Sequence, residues 1–490
     1  MTKPSRVMST QHPDNVKQPF FTDNVIISGD DEIKEAFYAF SHLKCKEQLW
    51  DCEGKEVDNH VVKKLLTRYE PFFLKHKFGQ DVFLTLRAPN PTVEKSEAKI
   101  LLETLESIPR SYDVANLFYK EDIAPIFEVA IPMVTKAKCL IRISEYYKQH
   151  VVGKQNSRLF MGDIKISEWI GKFKPEKLRI IPLFEDKESM LNADKIVEEF
   201  ITNQKIDDFQ RVWLARSDPA LNYGSLAAVL INKIATQRLF LLRQRSSIEI
   251  YPILGCGSAP FRGNLTPDTV DNVLKGYPSI QTYTIQSAFK FDYPEPDVVK
   301  AIEKLNETSV KEPIFVDEEK TIGIINKLSE EYQNQIKLLI PFINQMSSYI
   351  PDRRKRKLHI GLFGYSRSSA GITLPRAIKF CASLYSWGLP PELLSLNILT
   401  SEELDYIRKV YPSFDQDLKL SLQYLNKDNL KYFPLEIIEP INKVSSLIPY
   451  EENYKHQKIT SIIIQNLKNK EQDVLIENIE RAGSIRGFLG

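Results

Sequence analysis

Residues suited to chemistry recur at the ends of short apolar runs in this 490-residue chain. Val7-Met8-Ser9-Thr10 runs into His12, and residues 81–86 end at Arg87. Ile126-Phe127 leads to Glu128, and residues 179–184 end at Glu185. Arg211-Val212-Trp213-Leu214 leads to Arg216 and Asp218. Residues 248–254 open into a glycine turn and Arg262, and residues 282–289 meet Lys290. Residues 358–363 precede Arg367, with Arg376 a little further on. Arginine is the planar fork preferred for phosphate and carboxylate. Glu185 and Asp218 follow adjacent predicted strands, so they could share one divalent ion. Oxygen-only ligands favour Mg2+ or Mn2+, although the same carboxylates also serve as helix caps or salt-bridge partners. His12 is a candidate acid/base, against the alternative of a turn histidine bonded to backbone. The small-residue turn 257–264 would let backbone approach an anion closely. The set suits a phosphorylated, carboxylate-bearing substrate held with a hard metal ion.

Eight apolar runs delivering such groups at their C-terminal ends is the pattern of a (β/α)8 barrel. Strands buried on both faces read as continuous apolar runs. From about residue 80 to 300 they alternate with helix-like stretches, as at 187–203 and 221–242. That argues for a parallel sheet with covering helices. The expected fold is α/β, a TIM-type barrel with additional, mainly C-terminal, helices. One barrel domain over residues 1–490 is expected. It would carry helical insertions at about 30–75 and 296–350 and a helical extension over 373–490. The basic run Arg353-Arg354-Lys355-Arg356-Lys357 reads as a solvated connector. The closing residues 482–490 end in Phe488-Leu489-Gly490. They read either as a frayed helix end or as a tail folded back to the barrel mouth.

Composition narrows the partners. There are 66 Lys+Arg against 64 Asp+Glu, so nothing calls for nucleic acid or an anionic membrane, and any positive field must be local. No run of about 18 apolar residues occurs, so no transmembrane helix is expected, and the polar start lacks a signal-peptide core. Five scattered cysteines without a C-x-x-C pair fit a reduced cytoplasmic protein rather than a zinc site. No Walker A sequence is present, and Pro260 stands where a dinucleotide fingerprint would place its third glycine.

Several segments together resemble phosphoenolpyruvate carboxylase of the short archaeal type. They are Met8-Ser9-Thr10-Gln11-His12-Pro13-Asp14-Asn15, the stretch 215–224 around Arg216-Ser217-Asp218, residues 257–263, residues 284–289, and Leu374-Pro375-Arg376-Ala377-Ile378. The likeness covers essentially the whole chain. The long bacterial and plant form is similar in its core. Its Thr-Ala-His-Pro is matched by Thr10-Gln11-His12-Pro13, and its metal-ligand segment Pro-Leu-Phe-Glu by Pro182-Leu183-Phe184-Glu185. Its Tyr-Ser-Asp, with the other ligand, is matched by Arg216-Ser217-Asp218, and its phosphate-binding Leu-Arg-Ala-Ile by the segment at Arg376. Two departures stand out. Leu221 replaces a lysine three residues after the metal aspartate, and of a glycine-rich loop with one histidine and two arginines only Arg262 has a counterpart.

The resemblance implies an enzyme, a carboxy-lyase fixing carbon dioxide by carboxylating phosphoenolpyruvate with bicarbonate to oxaloacetate and phosphate. It implies Mg2+ (or Mn2+) on Glu185 and Asp218, catalytic His12, Arg262 and Arg87, and substrate binding by Arg367, Arg376 and Arg216. It further implies a cytoplasmic homotetramer with inhibition by aspartate. The alternatives are another Mg-dependent barrel enzyme acting on phosphoenolpyruvate or an enolate, and a non-catalytic metabolite-binding relative.

Overall fold

Eight short strands pair edge to edge in chain order and close on themselves in the computed structural model, which describes residues 3–52, 58–355, 368–369 and 372–490. They are β1 Val7–Ser9, β2 Glu47–Asp51, β3 Phe83–Arg87, β4 Glu128–Ile131, β5 Arg179–Phe184, β6 Phe209–Ala215, β7 Glu249–Gly255 and β8 Thr282–Ile285. Every pairing is parallel. Closure comes from β1 on β8, with Val7 opposite Tyr283, Met8 opposite Thr284 and Ser9 opposite Ile285. Parallel neighbours require crossovers, and helices such as Asp30–Ser41 and Ala98–Tyr119 supply them on the outside. All strand C-termini therefore open on one face, where loops build a site.

The barrel interior is layered. Met8, Leu49, Ala130, Ile181, Leu183, Trp213, Ala215 and Ile253 fill the middle. Beneath them, toward the strand N-termini, lies a charged layer. Arg211 reaches Glu47 and Glu128 at 2.7 Å each, and Thr85 donates to Glu47 at 2.6 Å. Burial alone would raise both carboxyls. The Arg211 charge holds Glu47 below its ordinary value, while burial keeps Glu128 above it. A second, larger core runs without a break from the covering helices into the C-terminal ones. The long apolar helix Ser225–Ser246 belongs to it, with 78% of its most apolar window buried.

Three expectations need correction. Residues 30–75 are not all helix, because β2 lies among them. Its interior-facing Glu47 pairs inside the barrel, so the strand does not read as an apolar run. With β2 the barrel is already eight-stranded, and the expected strand at 358–363 lies outside the described residues. Glu128 opens β4 instead of ending a strand, which puts it at the end opposite the mouth. The basic run is no solvated connector at its start. Arg353 and Arg354 are both buried, the first on Glu480 and the second on Glu32 and Glu35.

Candidate active site

Seven of the sequence-predicted site residues line one cavity of about 440 Å³ at the C-terminal mouth: His12, Arg87, Glu185, Arg216, Asp218, Arg262 and Arg376. The eighth, Arg367, lies outside the described residues. Cationic side chains on the wall number seven against three carboxylates, in a chain whose overall charge is close to balanced. The positive field is therefore local, as an anion-binding mouth requires.

The first wall comes from β1. Beyond it the chain turns through His12-Pro13-Asp14, and the His12 carbonyl accepts from Ser287 N at 3.1 Å. Asp14, fully buried, is the hub of the turn. It accepts from Ala288 N at 2.7 Å, from Ser258 N at 3.2 Å and from Arg262 at 3.1 Å. Arg262 also donates to Ser217 Oγ at 3.2 Å, Gln286 Oε1 at 2.5 Å and the Gly490 main-chain oxygen at 2.9 Å. Of its five N–H donors, four are thus taken up within the protein. The glycine turn before it serves this packing. A Cβ on Gly257 would come within 2.9 Å of the Arg262 guanidinium carbon, so the close approach expected for an anion is made by this side chain.

Arg216 differs. It is 2% exposed, and its Nε and Nη1 have no hydrogen-bond partner among the described residues. Orphaned buried donors cost about 1–3 kcal/mol each, so a ligand that accepts from them recovers that cost. Behind Arg216 lies a second cavity of about 40 Å³, shared with Glu392, Tyr411 and Asp417. Arg87 is held as a fork by Asp51, with contacts of 3.0 and 2.7 Å. Arg376, exposed, stands at the N-cap of helix Ala377–Ser386 and faces the cavity beside a helix N-terminus, a place that favours anions.

Glu185 directly follows β5, and Asp218 sits in the first turn of helix Ser217–Tyr223 after β6. These strands are neighbours in the barrel. Glu185 accepts from Met133 N at 2.8 Å, and Met133 adopts φ 51 to present it. A non-glycine residue in that region is uncommon, which marks the loop as shaped around this carboxylate. No cluster of three or more His, Cys, Asp or Glu groups suited to a metal occurs among the described residues. Two carboxylates suffice for Mg2+, which keeps waters and takes substrate phosphate oxygens for the rest of its shell.

Sequence reasoning missed several residues here. Asp14 sat within the quoted motif but shows its role only when Ser258, Arg262 and Ala288 converge on it. Asp51 was hidden by the missed strand. Arg353 and Arg354 line the cavity although their run looked like surface. Of the two readings of the closing residues, the folded-back tail is the one found: Leu489 N donates to the Asp14 carbonyl at 2.8 Å, and Phe488 and Leu489 are buried.

An eight-stranded parallel barrel with cations and paired carboxylates at its C-terminal mouth defines a TIM-barrel enzyme for an anionic substrate. A family model described as phosphoenolpyruvate carboxylase matches residues 5–490. The chain belongs to the phosphoenolpyruvate carboxylase family. A relative named phosphoenolpyruvate carboxylase from Methanospirillum hungatei is 51% identical over 485 residues, covering 99% of each chain. Relatives of the same name from Methanothermobacter thermautotrophicus and Pyrococcus abyssi are each 50% identical, over 488 and 490 residues, and cover 99% or more of both chains. Among solved structures, a malate synthase ternary complex from Haloferax volcanii matches with TM-score 0.37 and 10% identity over 65% of this chain and 75% of that one.

Proposed function

We propose that this enzyme carboxylates phosphoenolpyruvate with bicarbonate, giving oxaloacetate and phosphate, through the cavity at the barrel mouth. The observation that carries the reading is the convergence of His12, Glu185, Asp218 and four arginines on one cavity in a chain matched to the family over residues 5–490.

Glu185 and Asp218 would hold Mg2+ or Mn2+. Such an ion supplies Lewis-acid stabilisation of negative charge on a phosphoryl group and a departing enolate. Arg376 binds the substrate phosphate at the helix N-terminus, and Arg216 offers its two unpartnered donors to the anion. Bicarbonate oxygen attacks phosphorus. The bond from phosphorus to the enol oxygen breaks, leaving carboxyphosphate and the enolate of pyruvate. His12 takes the carboxyphosphate proton, so that it splits into CO2 and phosphate, and the proton passes to the phosphate. The enolate carbon then attacks CO2. Arg262 has few donors left, so it shapes the wall and contributes at most one N–H to carboxyphosphate. Arg87, locked by Asp51, serves as a fixed charge beside it.

The decisive assay is phosphate release from phosphoenolpyruvate with Mg2+, with and without bicarbonate, while oxaloacetate is followed in parallel. Bicarbonate-dependent release with matching oxaloacetate is expected. Release that ignores bicarbonate and yields no oxaloacetate would overturn the reading. Binding of Mn2+ followed by electron paramagnetic resonance tests the metal assignment. Asp218→Asn should weaken it, and unchanged binding would remove Asp218 from the site.

Self-association into a homotetramer belongs to the same proposal. It is supported by a hairpin whose arms bridge at Arg158 and Lys165. There Phe160 is 68%, Met161 99% and Trp169 64% exposed, and helix Ile166–Ile170 buries nothing. Monomers rarely leave such apolar patches bare. Light scattering on Met161→Asp should show a smaller assembly. A cytoplasmic setting fits five free, buried thiols. Aspartate, a dicarboxylate, suits the cationic mouth as an inhibitor, and its addition to the phosphate-release assay tests that.

A further inference from the structure

His12 Nδ1 lies 2.9 Å from Thr10 Oγ1. The same hydroxyl lies 3.2 Å from the Ile285 carbonyl oxygen. A hydroxyl has one hydrogen to donate, and a carbonyl oxygen can only accept. The contact with Ile285 therefore takes the Thr10 hydrogen. Toward His12 the hydroxyl presents a lone pair, so Nδ1 must be the donor. In a neutral imidazole one nitrogen carries the proton and the other is the base. The assignment that satisfies both contacts puts the proton on Nδ1 and leaves Nε2 basic.

Thr10 is well placed to impose this. It is fully buried, so water does not compete for its hydroxyl. Its main chain is pinned at both ends: Thr10 N donates to the Ile285 carbonyl at 2.9 Å, and the Thr10 carbonyl accepts from Lys290 Nζ at 2.9 Å. Lys290 is itself buried and held by Ser9 Oγ at 3.1 Å and Glu35 at 2.9 Å. Glu35 is shared with Arg354 at 2.6 Å. Burial would raise the Glu35 carboxyl, but the two cations hold it down at about 2, so this anchor stays charged. A β-branched side chain on a fixed backbone has little rotameric choice.

We propose that Thr10 is a positioning residue that holds His12 in the Nδ1–H form, so that Nε2 is the nitrogen that accepts a proton in the reaction. This rests on the reading of His12 as proton acceptor given above.

The test reads the tautomer directly. Protein labelled with 15N-histidine is compared with His12→Asn at pH 8, where an ordinary imidazole is neutral, to assign the His12 signals. A protonated Nδ1 and an unprotonated Nε2 are expected without any added ligand. Thr10→Val should mix the two tautomers, and Thr10→Ser should restore the first. In turnover, Thr10→Val should lower oxaloacetate formed per phosphate released by about 10-fold, within the range of general-base effects, and Thr10→Ser should recover it. A wild-type signal with the proton on Nε2 overturns the proposal. So does a Thr10→Val protein that keeps the Nδ1–H tautomer. If the tautomer is as stated but His12→Asn loses phosphate release and oxaloacetate equally, Thr10 still sets the tautomer, and the role assigned to His12 fails instead.

Discussion

At the scale of single residues, the arginines of the mouth sit in different environments. Arg87 is held by Asp51, and Arg262 by Asp14, Ser217, Gln286 and Gly490, whereas Arg216 keeps two buried donors with no hydrogen-bond partner among the described residues, and Arg376 lines the cavity at a helix N-terminus. Arg376→Ala should raise KM for phosphoenolpyruvate by about 10- to 100-fold, the worth of one charge-assisted hydrogen bond. Lys300→Ala, on an exposed position, should leave it unchanged because solvated charges are screened. Equal titration curves for the two would refute a phosphate role for Arg376. Arg354, near the start of the basic run, cannot serve as that control, since it is buried on two carboxylates. His12→Asn should keep phosphate release better than oxaloacetate formation, because its proposed step follows phosphoryl transfer. Parallel assays of the two products decide this.

At the scale of elements, the closing segment behaves as a part of the barrel rim. Helix Gln472–Arg486 ends at Gly487, and the chain then lays Phe488 and Leu489 into the core, 3% and 1% exposed. Buried Arg486 ties the segment down by donating to the Leu489 carbonyl at 2.9 Å and meeting His456 Nε2 at 2.8 Å. Full burial of two such side chains contributes about 1.5–3 kcal/mol each, enough to offset ordering a few residues. Because Leu489 and Gly490 bond to Asp14 and Arg262, the hub beside His12 depends on them. Removing residues 488–490 should lower kcat by about 10-fold or more while circular dichroism stays native, given that misplaced catalytic groups cost on that order. Unchanged turnover would detach the tail from the site.

At the scale of the whole molecule, buried carboxyls tie stability to pH. Burial pushes Glu392 up to about 7, although Phe261 N and the Tyr385 hydroxyl donate to it. Burial likewise pushes Asp292 up to about 8. Their folded values exceed the unfolded ones, so the folded protein binds more protons. Their stabilisation is complete below the ordinary carboxyl range and is lost as pH rises toward 7–8. Glu35, held at about 2, acts in the opposite sense: its contribution is present above the ordinary range and disappears as pH falls. Stability should therefore fall between pH 5 and pH 8. Glu392→Gln should flatten that slope by about 1–3 kcal/mol, as read from urea midpoints at the two pH values. A slope unchanged by the substitution would refute the burial of an ionising Glu392.

Much of this protein was legible in its sequence. Seven of the eight barrel strands sit where apolar runs predicted an element or end close by, and the residues His12, Glu185, Arg216, Asp218 and Arg262 follow strands as expected. The reason is local: a strand buried on both faces must be apolar, and a loop residue at its end stands out against that run. The quoted motifs added family membership, which the match over residues 5–490 bears out. What needed tertiary structure were the pairings between distant charges. β2 escaped notice because Glu47 is neutralised by Arg211, 164 residues away. Arg353 and Arg354 looked solvated because Glu32, Glu35 and Glu480 are remote in sequence. Asp14 became a hub only when three residues from two later segments reached it. Burying a charge is tolerable only with a partner. A sequence displays the charge, and only the folded chain brings the partner to it.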